Sequence, residues 1–389
     1  MMKFLKSSLL FFAAVFVVVL IGELTLRMFF PPVDPRPIQL NTNGFYMPSD
    51  DPKLIYEHRP NSKKREKSER IILRKGETKR TKRRSVTYTT NSYGFRGLEP
   101  RLGKDRPLLV TLGDSNTFGL SLSDHETFPA RLQTKIDKRG ENMEVINAGV
   151  AGYSAATELR YYQARVKKLK PDYLLHIWCM NDVLKDPTAQ YHTDIRMVMV
   201  HHFPLFAEDT RISLYHSSHI FQRIVETYNL IMLDIRPEKF AFMGQRDFRW
   251  IFQNALADPK NKAWLRTSAL ISKIIEESRN EGTRFALVII PFHNQVYEDS
   301  VFKYYDPAPA QKQLTDFAHL KGVDVIDIVP DFLDNRDKDL FLDICHLAPD
   351  GTQLVADVIH KFLNEKGWLK PAKIEASLKT KTEEAKPEP

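Results

Sequence analysis

The sequence predicts an α/β fold in which a parallel sheet of about five strands is covered by helices on both faces. Two observations predict this three-layer arrangement. Short apolar runs alternate with segments of helical periodicity between residues 107 and 367, and the runs are apolar throughout, as strands buried on both faces are. A third observation, an apolar stretch over the first thirty residues, adds an N-terminal transmembrane helix.

Residues 1–30 are interpreted as a signal anchor. The segment Ser7–Gly22 carries no charge, and apolar residues continue to Phe30, so a span becomes feasible when flanking charged side chains snorkel to the surface. A cleaved signal peptide and a buried helix remain alternatives. Lys3 and Lys6 favour a cytoplasmic N-terminus, which places the large domain outside the cytoplasm.

Residues 31–90 are expected to form a stalk that contains a basic segment at 61–84. That segment holds twelve Lys or Arg against three Glu, so it accounts for the whole formal charge of +8. Its expected partner is an anionic lipid or polysaccharide surface, although a solvated charged loop is an equal alternative. Since the rest of the chain is close to neutral, nucleic acid is not an expected partner.

The domain itself is expected over residues 91–367. Five strands are predicted: Leu108–Leu112, Met143–Asn147, Asp172–Trp178, Arg284–Ile290 and Val323–Ile328. Five helices are predicted between and after them: Thr127–Lys138, Ala155–Leu169, Lys262–Glu281, Ala310–Leu320 and Gly351–Lys366. Residues 183–261 break this rhythm and are expected to be an insertion over the carboxyl edge of the sheet, where ligands bind in such folds. The Lys-, Glu- and Pro-rich tail, 368–389, is expected to be disordered.

Three residues suggest nucleophilic catalysis. Ser115 follows the first strand in a Gly-Asp-Ser block, where a strand should turn into a helix. A serine needs a neighbouring imidazole to take its proton, and that imidazole needs an acceptor on its second nitrogen. Asp343 and His346, three residues apart, supply such a pair. The alternative for Ser115 is an ordinary turn in which the serine caps a helix.

Two further loops leave the same edge of the predicted sheet. Gly149, after the second strand, could bring a backbone N–H close to a reacting carbonyl oxygen. Asn181, just past the third strand, could donate its amide to the same oxygen. An oxyanion hole is therefore predicted from Gly149, Asn181 and the N–H of Ser115.

These four ordered blocks resemble those of the SGNH hydrolases, also called GDSL-type esterases and lipases. The resemblance covers about residues 91–367 and implies a flavodoxin-like sheet, a Ser115–His346–Asp343 triad and the oxyanion hole just described. The Asn-x-x-Gly-Phe-Arg-Gly segment at Asn91–Gly97 is similar to that of a membrane-anchored bacterial subset. One departure is Cys179, where the third block of the family usually has glycine.

No cofactor or metal is expected. The histidines at 201, 202, 216 and 219 lack the paired Cys or helical Glu of a zinc motif. The two cysteines, Cys179 and Cys345, are interpreted as small apolar fillers, with a disulfide between them as the alternative.

The predicted function is a membrane-anchored, extracytoplasmic serine esterase. Its expected substrate is a small acyl ester, such as O-acetyl, on cell-surface or exported carbohydrate. An O-acyltransferase that uses the same acyl-enzyme is the first alternative, and a non-catalytic carbohydrate-binding envelope component is the second. The oligomeric state is left open by the sequence.

Overall fold

The structure is a computed structural model. It describes residues 2–29, 44–51, 54, 56–68, 71–74, 77–80, 84–103, 105–183, 205–235, 256–300 and 304–371.

The chain begins with a long helix, α1, at Met2–Phe29. Within it Leu10–Phe29 is long and apolar enough to cross a membrane, and none of this stretch is buried inside the protein. Glu23 and Arg27, one helical turn apart, form an ion pair, with Arg27 Nε 2.9 Å from Glu23 Oε1.

Six short strands follow α1: β1 Tyr46–Pro48, β2 Tyr56–His58, β3 Lys63–Ser68, β4 Ile71–Arg74, β5 Glu77–Arg80 and β6 Arg84–Thr89. They form three antiparallel pairs, β1 with β2, β3 with β6 and β4 with β5.

The central sheet confirms the predicted fold class. Its five parallel strands are β7 Leu108–Gly113, β8 Glu144–Gly149, β9 Tyr173–Cys179, β10 Arg284–Ile290 and β11 Asp324–Asp327. Their order in the sheet is β8-β7-β9-β10-β11. This is the flavodoxin-like order 2-1-3-4-5, in which the chain reverses direction across the sheet between the first and third strands.

Helices cover both faces of this sheet. The α-helices described after α1 are, in chain order, α2 Ser115–Phe118, α3 Phe128–Lys138, α4 Ala155–Tyr161, α5 Glu208–Ser217, α6 His219–Ile235, α7 Lys262–Asn280, α8 His293–Val296, α9 Ala308–Lys321, α10 Val329–Asp334 and α11 Pro349–Glu365. Of these, α5 and α6 pack against each other rather than on the sheet. Along β7, Leu108 and Val110 belong to one apolar core, with side chains of α4, α7 and α9. Leu109 belongs to the other, with α3, α10 and α11, so alternate side chains of the strand supply the two cores.

The predicted helix Ala155–Leu169 keeps its extent but changes its winding. An α-helical part ends at Tyr161, a π-helical turn covers Tyr162–Val166, and a 3₁₀ turn covers Lys167–Leu169. Lys170 then closes it in a left-handed conformation, with φ 50°.

The predicted stalk is wrong for much of residues 44–90. Phe45, Tyr56 and Tyr88 lie in the same apolar core as the sheet residues of β7 and β8. The hydroxyl of Tyr56 donates to the carbonyl of Ala151 at 2.8 Å. These aromatic side chains hold the strands on the domain, since each buries a large apolar area. Part of the charge of the basic segment, which suggested a solvated stalk, lies on β3, whose partner strand β6 is about twenty residues further along the chain.

The insertion and the tail are described in part. Of residues 183–261, the structure describes mainly helices α5 and α6. The predicted position of the insertion over the carboxyl edge of the sheet lies outside the described residues. The tail prediction is wrong at its start: Trp368 is buried and stacks on Tyr173, with ring centroids 4.5 Å apart. Residues 372–389 lie outside the described part of the chain.

Candidate active site

The nucleophile candidate lies at a tight strand-to-helix turn. Strand β7 ends at Gly113, and Asp114 caps helix α2 by accepting the N–H of Asn116 at 2.8 Å. A Cβ at Gly113 would lie 2.3 Å from the Thr117 hydroxyl, so only glycine allows α2 to fold back this closely. The turn places Ser115 as the first residue of the helix, at the carboxyl edge of the sheet.

The structure brings Ser115, His346 and Asp343 together in one hydrogen-bonded chain. His346 Nε2 lies 2.9 Å from Ser115 Oγ, and His346 Nδ1 lies 2.7 Å from Asp343 Oδ2. The other carboxylate oxygen, Oδ1, accepts the backbone N–H groups of Cys345 and His346 at 3.0 and 2.9 Å. The backbone N–H groups of this turn therefore hold the Asp343 carboxylate in place, and the carboxylate in turn orients the imidazole of His346.

Burial and charge set the protonation of this pair. Burial acts to lower the pKa of His346, but the Asp343 carboxylate and, more weakly, Asp114 outweigh it, and the net shift is upward from 6.5. Burial acts to raise the pKa of Asp343, yet His346 and the two backbone N–H groups bring it down to about 2. The Asp343 carboxylate is therefore ionised at neutral pH and stabilises an imidazolium beside it.

The structure does not support Gly149 as an oxyanion donor. Its N–H donates to the side chain of Asn147 at 3.0 Å and is therefore occupied. A Cβ at Gly149 would lie 2.1 Å from the Phe118 nitrogen and 2.5 Å from the Thr117 carbonyl carbon. Glycine is needed here because β8 and α2 pack backbone against backbone, a reason that the local sequence pattern cannot distinguish from oxyanion binding.

The other predicted oxyanion donor, Asn181, is described for its backbone only. The Asn181 backbone forms part of the 3₁₀ turn Met180–Asp182, directly after β9, while its side chain lies outside the described residues. Gly152, three residues after Gly149, has φ 85° in the loop that leaves β8. Its N–H makes no hydrogen bond with the described residues.

Sequence reasoning missed the role of Arg96, although it singled out the segment that contains it. The side chain is almost fully buried and donates to the carbonyls of Phe118, Gly119 and Leu122 at 2.6, 2.8 and 2.6 Å. Its Nε donates to Asp124 at 3.1 Å. The guanidinium also lies over the Phe118 ring, 4.2 Å from the centroid. A planar donor fork of this kind satisfies the carbonyls at the end of α2 and so holds the helix that begins with Ser115.

A second group of buried polar residues lies behind the nucleophile. His176 Nε2, on β9, is 2.7 Å from Glu158 Oε2 on α4, and both side chains are fully buried. Burial, with a smaller effect of the Asp114 charge, raises the pKa of Glu158 well above 4.5. Burial lowers the pKa of His176 to about 4. The two groups therefore favour their neutral forms, and a neutral pair needs no counter-ion in this interior.

The cysteines are buried thiols. Cys179 and Cys345 are not joined by a disulfide. Burial raises the pKa of the Cys345 thiol, with Asp343 as the next cause. Cys179 Sγ accepts the side-chain N–H of Asn116 at 3.0 Å.

Asp343, Cys345 and His346 place possible metal-ligating atoms within 4.8 Å of one another. Both imidazole nitrogens of His346 are already used by Ser115 and Asp343, so the hydrogen-bonded triad accounts for the proximity of these groups.

Comparisons with known proteins give one family match and several structural matches. A sequence profile of the GDSL-like lipase/acylhydrolase family matches residues 109–359. A lipase/acylhydrolase from Enterococcus faecalis is 16% identical with a TM-score of 0.40, and the match covers 68% of this chain and 98% of that one. A catalytic mutant of an acetylxylan esterase from Geobacillus stearothermophilus is 15% identical with a TM-score of 0.39, over 69% of this chain and 96% of that one.

No curated protein matches the sequence. The profile match alone spans well over half of the chain and includes both Ser115 and the Asp343–His346 pair. The chain therefore belongs to the GDSL-like lipase/acylhydrolase family and is an ester-hydrolysing enzyme.

Proposed function

We propose that the protein is a membrane-anchored, extracytoplasmic serine esterase that removes small acyl groups, such as acetyl, from cell-surface or exported carbohydrate. The observation that carries the mechanism is the continuous chain of hydrogen bonds from Asp343 through His346 to Ser115. This is the connectivity that a serine nucleophile requires at neutral pH.

The chemistry follows from the two contacts of His346. Its Nε2 takes the proton of Ser115 Oγ while that oxygen attacks the ester carbonyl, and a tetrahedral oxyanion forms. The imidazolium, stabilised by Asp343, then returns the proton to the departing alcohol, leaving an acyl group on Ser115. Water, deprotonated by the same Nε2, attacks the acyl-enzyme, and collapse of the second tetrahedral intermediate releases the acid and returns the proton to Ser115.

The oxyanion requires donors at the same edge of the sheet. We assign this role to the N–H of Ser115, the side chain of Asn181 and the N–H of Gly152, with Gly152 replacing Gly149. The substitution is supported by the hydrogen bonds: the Gly149 N–H is bonded to Asn147, while that of Gly152 is not bonded to any described residue.

Burial and anchoring support the proposed substrate class. Ser115 exposes only 7% of its surface and His346 only 4%, which favours a small acyl group over a long chain. The apolar stretch Leu10–Phe29 of α1 and the lysines that precede it, Lys3 and Lys6, favour attachment to a membrane with the domain on the outer side. Substrates in that compartment include acylated envelope and exported polysaccharides.

The test compares the full-length protein in detergent with Ser115→Ala and a control, Ser268→Ala, whose hydroxyl bonds only to its own helix. Turnover of p-nitrophenyl acetate, release of acetate from acetylated xylan and labelling by a fluorophosphonate are measured. We expect the wild type and the control to turn over and to be labelled, and Ser115→Ala to do neither. Labelling without turnover would favour the acyltransferase alternative, and loss of both in the wild type would refute the esterase.

A further inference from the structure

Two charged residues near the end of α1 are bonded to the insertion. The Glu23 carboxylate accepts the N–H groups of His219 and Ile220, at 2.9 and 3.1 Å, and the Ser218 hydroxyl at 3.0 Å. Arg27, which also donates to Glu23, donates its Nη2 to the carbonyl of Ser217 at 2.8 Å. Glu23 thus caps the first turn of α6, and Arg27 binds the last residue of α5.

These contacts have the electrostatic sign that helix ends favour. A carboxylate is stabilised at the positive end of a helix, where N–H groups have no partner within the helix, and a cation is stabilised by the carbonyls at the other end. A charged pair inside an apolar span is costly unless it finds such partners. The Glu23 side chain is only 15% exposed. The turn between α5 and α6 supplies the hydrogen-bond donors that the acyl chains of a bilayer lack.

Apolar packing extends the same interface. Ile220 packs against Gly22 of α1, where a Cβ would lie in van der Waals contact with its terminal methyl, 3.4 Å away. A groove beside this contact is lined by Leu26 of α1 and by five residues of α6: Ile220, Arg223, Ile224, Thr227 and Tyr228. A separate small core of Tyr215, Phe221 and Val225 joins α5 to α6. Helices α5 and α6 therefore pack together as a hairpin, and this α5–α6 hairpin is bound to α1 by hydrogen bonds and apolar contacts.

The position of Glu23 along α1 sets the depth of this unit. Glu23 lies six residues before Phe29, the last residue of the apolar stretch, which corresponds to about 9 Å along a helix. Interfacial helices bury their apolar faces roughly 5–10 Å into the boundary between headgroups and acyl chains. Phe206, just before α5, and Ile224 of α6 expose 59% and 50% of their surface.

We propose that the α5–α6 hairpin is a membrane-interface module. It is docked on a retained α1 through Glu23 and Arg27, and its exposed apolar side chains contact phospholipid acyl chains in the leaflet at the C-terminal end of α1. The bilayer is the occupant of this face because the face continues directly from a helix that is itself apolar and unburied. The inference rests on the membrane anchoring given under the proposed function. It goes further in making the insertion, which follows Asn181 at the edge of the sheet, part of the membrane attachment.

The test uses full-length protein in phosphatidylcholine vesicles whose lipids are brominated either near the headgroup or near the bilayer centre. Ile224→Trp is the probe, Phe206→Trp is a second, more conservative probe, and Leu320→Trp on α9, 82% exposed at the native residue, is the control. After subtraction of the wild-type signal, we expect both probes to be quenched, more strongly by the shallow bromines, and the control to be unquenched.

A second pair of variants tests the docking contacts. Glu23→Ala, combined with Ile224→Trp, should lose at least half of the quenching while the protein still floats with the vesicles. Thr25→Ala, whose hydroxyl bonds only within α1, should leave quenching unchanged. Unquenched probes on floating protein would overturn the membrane-interface module alone, and undiminished quenching in Glu23→Ala would overturn the docking through Glu23. Failure of the wild type to float would refute the anchoring as well, whatever its esterase activity.

Discussion

Replacing Asp343 by asparagine separates the orientation of His346 from the folding of its turn. Asparagine retains an oxygen in the place of Asp343 Oδ1. In the wild type Oδ1 accepts the N–H groups of Cys345 and His346 at 3.0 and 2.9 Å, and the asparagine oxygen can do the same. In the position of Oδ2, 2.7 Å from His346 Nδ1, it places an NH₂ group. That group donates to Nδ1, so the imidazole proton moves to Nε2 and faces Ser115. Nε2 then donates to Ser115 Oγ and cannot take its proton.

The expected loss is large. A wrong tautomer in an otherwise intact Ser–His–Asp triad lowers kcat by about 10⁴-fold. At about 1.36 kcal/mol for each factor of ten, this corresponds to about 5.4 kcal/mol of lost transition-state stabilisation. The thermal unfolding of Asp343→Asn should stay close to that of the wild type, because both backbone hydrogen bonds remain.

The pH dependence provides the second readout. In the wild type the pKa of His346 is raised above 6.5, so kcat/KM should rise with pH through a midpoint above that value as the imidazole loses its proton. In Asp343→Asn the charge that raises this pKa is gone and burial still lowers it, so the midpoint of the residual activity should move to lower pH. Hydrolysis of p-nitrophenyl acetate across pH measures both effects.

Asp350→Asn is the matched control, since Asp350 is exposed in the first turn of α11 and has no contact with the triad. It should keep wild-type activity and an unchanged midpoint. Asp343→Asn activity within tenfold of the wild type, or a midpoint that does not move, would refute the assignment of Asp343 as the group that orients His346.

Three further substitutions test the frame around the nucleophile. Arg96→Ala should destabilise the protein by about 3–5 kcal/mol in urea unfolding, because it removes the donor of three backbone carbonyls and the ion-pair partner of Asp124. Arg96→Lys should recover part of this loss. Gly149→Ala should cost about 1–3 kcal/mol and reduce turnover by displacing α2, whereas Gly103→Ala, with open space around it, should do neither. Glu158→Gln should flatten the decline of Tm as pH rises above 4.5, since the raised pKa of Glu158 makes the folded state lose stability in that direction.

The sequence predicted the sheet well because its signals are local. Each strand of the sheet is a short apolar run, and Arg284–Ile290 was predicted with the limits that the structure shows. The positions of Ser115 and of the Asp343–His346 pair followed from motifs that each occupy a few residues. Their meeting, across 231 positions, needed the fold, and the parallel topology predicted it because the strands carry their loops to one edge.

Where prediction failed, the deciding contacts are long-range. Strand β3 pairs with β6 in a register that joins Lys64 to Tyr88. Strand β3 is polar throughout and lacks the apolar alternation by which a strand is recognised, although Val86 and Tyr88 of its partner do alternate with polar residues. The case of Gly149 differs. The sequence indicates that glycine is needed at this position, but a backbone N–H in a loop has several possible acceptors. Only the structure shows that the Gly149 N–H donates to the side chain of Asn147.

The limits of the functional unit follow from how the nucleophile is held. Helix α2 has four residues, too few to be stable in isolation. Asp114 caps its start and Gly149 allows β8 to lie against it, but its end is held by Arg96, whose guanidinium also lies over the Tyr88 ring. Tyr88 belongs to β6, in the segment first interpreted as a stalk. Because the rigidity of the turn that carries Ser115 depends on these contacts, the strands before residue 91 are part of the active-site frame, and the domain extends to at least Phe45 of the aromatic core.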